Sequence, residues 1–157
     1  MYRSVLLTLA FALSVTGCAA FSPSSNLTKL DLKLEGSERL NPDLNGRPSP
    51  IVIRLVELKH AVGFETLDFF TLYQRPREAL SPDLVALEEI ELRPGEQRTL
   101  KLFVQDGSRY VGVQAAYRNL PESQWRHVVP LSAQRRTEVA LSLTEHGIQN
   151  QNDTVGK

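Results

Sequence analysis

The alternation of apolar and polar residues is the feature that most limits how this chain can fold. From Lys29 to Glu35, charged residues alternate with the leucines at positions 30, 32 and 34. A period of two places alternate side chains on opposite faces of a strand, so the segment predicts a strand with one solvated face. Similar segments predict strands over residues 51–59, 87–93, 97–104, 110–118, 125–131 and 137–144. About seven to eight short strands joined by turns favour a mainly β fold, a β-sandwich.

One predicted strand and the segment after it depart from simple alternation. Residues 51–59 are apolar on both faces, which predicts a central strand whose outer face is covered by a helix or a loop. Residues 63–73 carry large apolar residues at helical spacing, with Thr66 suited to cap a helix. A second short helix is predicted within 76–87, beginning at Ser81 with Pro82 in its first position. We therefore expect one or two short helical insertions that pack on the sandwich through Phe64, Phe69 and Phe70.

The N-terminal 18 residues have the organisation of a secretory leader. One positive charge at Arg3 precedes an apolar run of about 11 residues, which is too short for a bilayer-spanning helix of about 20 residues. The run ends in Val15-Thr16-Gly17-Cys18, which resembles the lipobox of bacterial lipoproteins. This resemblance implies that residues 1–17 form a signal peptide and that the thiol of Cys18 is acylated. Because Cys18 is the only cysteine in the chain, the mature domain must fold without a disulfide.

The residues after Cys18 predict where the domain is held. Ala19 stands where the lipoprotein signal for retention in the inner membrane would place an aspartate, so the resemblance implies anchoring at the periplasmic face of the outer membrane. Residues 18–27 predict a lipidated cysteine followed by a tether rich in serine and proline. Nine residues after the cysteine reach at most about 30 Å. We expect a folded β-sandwich over residues 28–145 and a polar C-terminal tail over 146–157.

The segment from Gly36 to Pro50 fits neither a strand nor a helix. Its fifteen residues exceed the usual length of a connection between two strands, and prolines 42, 48 and 50 stiffen it. Leu40 and Leu44 are its only large apolar residues, and exposed on a preformed loop they would suit contact with a protein partner. The alternative is that both leucines pack against the end of the sandwich and the loop is inert. We favour a partner-binding loop made by a continuous run of residues: Leu40, Asn41, Pro42, Asp43, Leu44, Asn45, Gly46, Arg47 and Pro48.

Catalytic and nucleic-acid signatures are missing from the sequence. The 18 basic residues balance the 18 acidic residues, so no net charge draws the chain to nucleic acid. The mature sequence contains no phosphate-binding, nucleophile-elbow, zinc-protease or paired-cysteine motif. Arg135 and Arg136 could contact an anionic partner, but we favour a charged turn between two strands. We predict a protein that is not an enzyme, with no cofactor, no metal and no small-molecule substrate.

Two other functions are kept as hypotheses. The first is a periplasmic lipoprotein that binds a small apolar ligand between its sheets, which requires a cavity in the core. The second is a periplasmic hydrolase whose site is built around His60 or His127 with distant carboxylates, which requires polar groups that converge in a cleft. We favour the hypothesis of a partner-binding loop over both.

Several stretches together resemble one protein family. Residues 41–58 are similar to the signature region of TssJ, the outer-membrane lipoprotein family of type VI secretion systems. Further matching stretches follow in the same order, and they are Phe64 to Tyr73, Leu92-Arg93-Pro94-Gly95-Glu96, Tyr110-Val111-Gly112-Val113, Ala116-Tyr117-Arg118 and Trp125-Arg126. The resemblance extends from the lipobox to about Leu143.

The resemblance implies a transthyretin-like β-sandwich with added helices and no enzymatic activity. It also implies a place in the membrane complex of the secretion system, where the loop after the first strand contacts the periplasmic C-terminal domain of the inner-membrane protein TssM. That loop corresponds to Gly36–Pro50 in this chain. The favoured contact residues within it are Leu40, Asp43, Leu44 and Arg47.

Overall fold

Two four-stranded sheets form the framework of the domain in a computed structural model, which describes residues 27–153. The first sheet has the order β4-β1-β7-β8 and the second has the order β3-β2-β5-β6. The strands are β1 (Lys29–Gly36), β2 (Ile51–Leu58), β3 (Leu84–Leu92), β4 (Gln97–Phe103), β5 (Tyr110–Ala115), β6 (Arg126–Pro130), β7 (Arg136–Thr144) and β8 (Gly147–Asn150). This architecture confirms the predicted mainly β sandwich. The predicted signal peptide, Cys18 and the tether up to residue 26 lie outside the described residues.

The first strand is the centre of its sheet. β1 pairs antiparallel with β4 over seven residues and parallel with β7 over eight residues. The three leucines that alternate along β1 are completely buried, because they face the second sheet. They belong to a continuous core cluster that both sheets supply, which includes Ile53, Val113 and Leu141. The space between the sheets is thus filled by packed side chains.

Three short helices cover the outer face of the second sheet. They are α1 (Val62–Thr66), α2 (Phe69–Gln74) and α3 (Pro76–Ala79). Under them lies a second cluster, in which Val56 and Leu58 of β2 pack with Phe64 and Leu72. This arrangement confirms that β2 is apolar on both faces because a helical layer covers its outer side.

Close packing of α1 depends on Gly112 in β5. A Cβ atom at this position would lie 2.8 Å from the ring of Phe64, closer than real contacts allow. The glycine therefore lets the phenylalanine ring rest directly on the sheet. The guanidinium of Arg126 holds the same segment from the neighbouring strand, because it donates to the carbonyl oxygens of Phe64 and Leu67.

Local predictions in the helical segment were wrong in three respects. Asp68, not Thr66, caps a helix: its carboxylate accepts from the backbone amide of Thr71, while Thr66 ends α1. The second helical piece lies at Pro76–Ala79, before Ser81, because residues 84–86 pair with β2 and extend β3. Phe70 is 59% exposed, whereas Phe69 and Leu72 are the buried residues of α2.

The sequence places the end of the sandwich at residue 145, but the last strand of the first sheet lies after this position. Residues 147–150 form β8, which pairs with β7, and Ile148 is buried in the main core. Its short length and polar neighbours hid the strand in the sequence, because a single buried isoleucine gives no visible alternation.

Candidate functional site

The connection between β1 and β2, residues 37–50, is a folded structure held by its own backbone hydrogen bonds. The amide of Asp43 donates to the carbonyl of Arg47 at 2.8 Å, and the amide of Ser49 donates to the carbonyl of Leu40 at 3.0 Å. The chain reverses direction between Asp43 and Arg47, and in this turn the amide of Gly46 donates to the carbonyl of Asp43 at 2.9 Å. We call residues 37–50 the β1–β2 loop, and its shape resembles a short hairpin.

The base of the β1–β2 loop is part of the hydrophobic core. Leu40 has no exposed surface and packs with the main cluster between the sheets. The sequence-based expectation that Leu40 is an exposed partner contact is therefore wrong. The side chain turns inward because this position closes the end of the sandwich next to Gly36 and Leu92.

Asn41 fastens the loop to the second sheet. Its backbone has a φ of 45°, a left-handed conformation that asparagine tolerates better than most residues. Its side-chain amide is 4% exposed and is satisfied on both sides. The nitrogen Nδ2 donates to the carbonyl of Pro50 at 3.0 Å, and the oxygen Oδ1 accepts from the amide of Arg118 at 2.9 Å. Asn41 therefore has a structural role beneath the surface.

The carboxylate of Asp43 organises the tip of the loop. Oδ1 accepts from the backbone amides of Asn45 at 2.8 Å and Arg47 at 2.9 Å, and Oδ2 accepts from Nε of Arg47 at 2.8 Å. The backbone bond from Arg47 is the main reason that the pKa of Asp43 lies below its ordinary value of 3.8. Gly46 completes the turn with a φ of 75°, a left-handed conformation that glycine adopts without strain.

Leu44 is the apolar residue that this scaffold presents to solvent. Its relative exposure is 105%, so the side chain makes almost no contact with the rest of the domain. It borders a groove that the loop forms with the segment after β5, lined by Pro42, Asp43, Leu44, Asn45, Arg118 and Asn119. An exposed leucine on a rigid turn, next to a groove with polar groups, has the character of a binding anchor.

The nine predicted loop residues thus have different roles. Leu40 and Asn41 hold the base, while Asp43 and Gly46 shape the turn. The residues with exposed side chains are Leu44, Asn45, Arg47 and Pro48. Pro42 lines the groove beside these exposed side chains.

Arg118 and Asn119 were missed by the sequence interpretation. They reach the β1–β2 loop because β5 pairs with β2, which places Ala115 opposite Ile53 and brings the next residues to the base of the loop. Arg118 lies 77 residues from Asn41 along the chain. No local pattern marks such a contact, although the predicted adjacency of the two strands could have indicated it.

The hydrolase hypothesis depends on the surroundings of His60 and His127. The side chain of His60 is 75% exposed, and its Nδ1 lies 2.9 Å from the carboxylate of Asp83. His127 lies on β6 opposite Val113 of β5. Among residues 27–153, no group of three or more potential metal ligands is assembled. No helix in this part of the chain is long and apolar enough to cross a membrane.

Comparison with known families matches most of the folded region. The family model described as "Type VI secretion lipoprotein, VasD, EvfM, TssJ, VC_A0113" matches residues 28–146. The matched range covers seven of the eight strands and the whole β1–β2 loop. No curated protein matches the sequence significantly.

Solved structures with the same fold include two lipoproteins of this secretion system. The type VI lipoprotein TssJ1 from Pseudomonas aeruginosa is 33% identical, with a TM-score of 0.76 over 79% of this chain and 95% of that chain. The membrane-bound component Lip from Serratia marcescens is 25% identical, with a TM-score of 0.72 over 78% of this chain and 96% of that chain. A chain of a structure described as a type VI membrane complex shares the fold at 22% identity, with a TM-score of 0.69 over 79% of this chain and 98% of that chain.

Proposed function

This chain belongs to the TssJ family of type VI secretion lipoproteins, and on that premise we propose that it tethers the inner-membrane protein TssM to the outer membrane. The β1–β2 loop would bind the periplasmic C-terminal domain of TssM. A lipid on Cys18 would hold the domain at the periplasmic face of the outer membrane. In this role the chain acts as a structural subunit of the membrane complex and performs no catalysis.

One observation carries this proposal: Leu44 is fully exposed at the tip of a loop whose own hydrogen bonds fix its shape. A single exposed leucine is common on protein surfaces, but here it is held on an ordered turn beside a groove, which is the arrangement of a binding anchor. Because the loop is already ordered, binding costs little conformational entropy. The groove beside Leu44 provides polar atoms that can fix the orientation of the partner.

The position of the loop suits a tether between two membranes. β1 begins near the point where the segment that follows Cys18 joins the sandwich, and it ends where the β1–β2 loop begins. At about 3.3 Å per residue, this strand separates the two attachment sites by about 25 Å. Hydrogen bonds to β4 and β7 hold β1 on both sides along its length. A partner bound at the loop would therefore face away from the anchored end.

The filled core favours this function over a carrier of small apolar ligands. Leucine, isoleucine and valine side chains from both sheets meet in one cluster at the centre of the sandwich. A ligand between the sheets would have to displace these packed side chains.

A pair of matched substitutions tests the proposal. Leu44→Glu places a charge on the exposed tip, and we expect it to abolish co-purification of TssM from detergent-solubilised envelopes. Val62 on α1 is also an exposed apolar residue, at 66%, and lies outside the β1–β2 loop. Val62→Glu introduces the same charge and should leave co-purification unchanged. Both variants should retain the thermal stability of the wild-type protein, because neither side chain is buried.

Two results would contradict the proposal. Retention of TssM by the Leu44→Glu protein would show that the interface lies elsewhere. Equal loss of TssM from both variants would show that a general change in surface charge, rather than the loop tip, governs the association.

A further inference from the structure

The end of the sandwich opposite the β1–β2 loop is formed by three segments that meet around the start of β1. The carbonyl of Thr28 accepts from the amide of Val104, and the amide of Lys29 donates to the carbonyl of Arg135. The amide of Leu131 donates to the carbonyl of Arg109, which joins the β4–β5 and β6–β7 connections. We call this surface the tether-side end, because the chain enters it from Cys18.

Positive charge is concentrated at the tether-side end. Lys59, Arg109 and Arg135 are exposed there, and none of the three forms an ion pair with another described residue. Carboxylates also lie nearby. Asp106 is exposed, Asp83 faces His60, Glu57 accepts hydrogen bonds from the β4–β5 connection, and Asp31 pairs with Arg136.

The opposite end shows a different arrangement of charge. Around the β1–β2 loop, arginines are matched with carboxylates: Arg39 with Glu145 at 2.9 Å and Arg47 with Asp43 at 2.8 Å. The tether-side end also holds one such pair, Arg136 with Asp31 at 2.6 Å, but Lys59, Arg109 and Arg135 lie outside it. The tether-side end has cationic groups available to an anionic surface.

Exposed apolar side chains accompany these cations. Phe103 is 67% exposed at the end of β4, and Leu27 is 45% exposed where the chain enters the fold. The ammonium group of Lys29 lies 5.6 Å from the centre of the Phe103 ring. Aromatic and aliphatic residues bordered by basic residues are the composition that binds the interface of a lipid bilayer.

The length of the N-terminal segment limits how far this end can lie from the membrane. Leu27 is the ninth residue after Cys18, and nine fully extended residues reach at most about 30 Å. An acyl anchor at Cys18 therefore keeps the tether-side end at a high local concentration next to lipid headgroups. Even weak contacts between the tether-side end and the lipid headgroups can therefore form, because the anchor keeps the two surfaces close together.

We propose that the tether-side end rests on the anionic headgroup surface of the membrane that holds the lipid anchor, and so orients the β1–β2 loop away from the membrane. The apolar contacts are Leu27 and Phe103, and the headgroup contacts are Lys59, Arg109 and Arg135. This inference rests on the proposed acylation of Cys18. It assigns a second, peripheral contact with the membrane besides the covalent anchor.

The test uses the lipidated mature protein in vesicles of phosphatidylethanolamine and phosphatidylglycerol. Because Cys18 is the only cysteine and its thiol is acylated, a cysteine introduced at Ala133 or Asn45 can be spin-labelled alone. Ala133 lies at the tether-side end and Asn45 at the tip of the β1–β2 loop. We expect the label at Ala133 to lose accessibility to a water-soluble nickel complex on vesicles, while the label at Asn45 remains fully accessible.

Charge reversal distinguishes this contact from simple proximity. The triple variant Lys59→Glu, Arg109→Glu and Arg135→Glu should restore accessibility at Ala133, and adding Phe103→Ser should restore it further. A control variant reverses Arg75, Arg77 and Arg93, three exposed arginines outside the tether-side end, and should behave as the wild-type protein. Raising the salt from about 0.05 M to 0.5 M should weaken the contact, because screening shortens the range of the attraction.

Co-sedimentation with the vesicles separates this inference from the proposed anchor. Protein that sediments with vesicles but has equal label accessibility at both sites would overturn the membrane contact and leave the anchor intact. Protein that does not sediment with vesicles would overturn the anchor, and with it the contact. Equal effects of the two charge-reversed variants would also overturn the inference.

Discussion

Leu40 and Leu44 lie four residues apart in the same loop and have opposite environments. Leu40 is completely buried and supports the loop from beneath, whereas Leu44 is completely exposed at the tip. The sequence predicts that both are important, because they are the only large apolar residues in a segment rich in proline and turn-forming residues. It does not separate their roles, because the inward turn of Leu40 depends on the core cluster that both sheets build around it.

Substitution of these two leucines should have very different effects on the free energy of unfolding. We expect Leu40→Ala to lower the free energy of unfolding by about 2–5 kcal/mol, because it leaves a cavity in the core. Leu44→Ala should leave the free energy of unfolding within about 0.5 kcal/mol of the wild-type value. Urea denaturation followed by the fluorescence of Trp125 measures both. Similar losses for the two variants would contradict the opposite environments assigned to these residues.

Asp43 should make the order of the loop tip depend on pH. The folded loop holds the pKa of this carboxyl below its ordinary value of 3.8, so the folded loop favours the ionised form. The order that the carboxylate provides is therefore complete above its ordinary pKa, and it is lost as the pH falls through the lowered value. We expect the amide resonances of Asn45 and Arg47 to move together in this acidic range.

The matched control for this titration is Asp43→Asn. It removes the ionisable group and should abolish the coupled movement of the two amide resonances. Persistence of the same movement in the Asp43→Asn protein would assign the titration to another group.

At the scale of elements, long alternating segments were predictable and the short pieces were not. β1 and β7 follow their apolar pattern because one face of each lies on a single core. β8 and the helices α1 to α3 depend on contacts made by the whole fold, so their bounds could not be read from four to six residues. The β1–β2 loop was predictable as a distinct element because its sequence has neither the period of a strand nor that of a helix. Its internal hydrogen bonds could not be predicted.

The contact between α1 and β5 gives a test at this scale. Gly112→Ala places a methyl group against the ring of Phe64, and we expect a loss of stability of about 1–3 kcal/mol. Phe64→Leu in the same chain should restore part of the loss, because the smaller side chain frees space for the methyl group. Thermal unfolding of the two single variants and the double variant measures the coupling. Additive losses would contradict direct packing of this pair.

At the scale of the whole molecule, the fold separates the tether-side end from the β1–β2 loop by the length of one strand. β1 joins them, and it is paired with β4 and β7 along its length. The sequence predicts both attachment sites but not their placement at opposite ends, because that placement follows from the direction of β1 within a two-sheet fold.

Cys18→Ser should separate attachment to the membrane from folding. We expect the variant to be released into the soluble periplasmic fraction and to abolish secretion, because it lacks the acylated thiol. The circular dichroism spectrum and the thermal unfolding midpoint should equal those of the mature wild-type domain, since the core clusters of the described residues run from Leu30 to Ile148. Recovery of the Cys18→Ser protein with the outer membrane would contradict the proposed anchor.

The most direct measurement of the central claim is site-specific photo-crosslinking in cells that assemble the secretion complex. A photoreactive amino acid at position 44 should crosslink the chain to TssM, and the same group at position 62 should not. The described geometry predicts this difference because the first position is the exposed tip of the β1–β2 loop and the second lies on α1. A complex that secretes normally while position 44 yields no crosslink to TssM would contradict the proposed role of the loop.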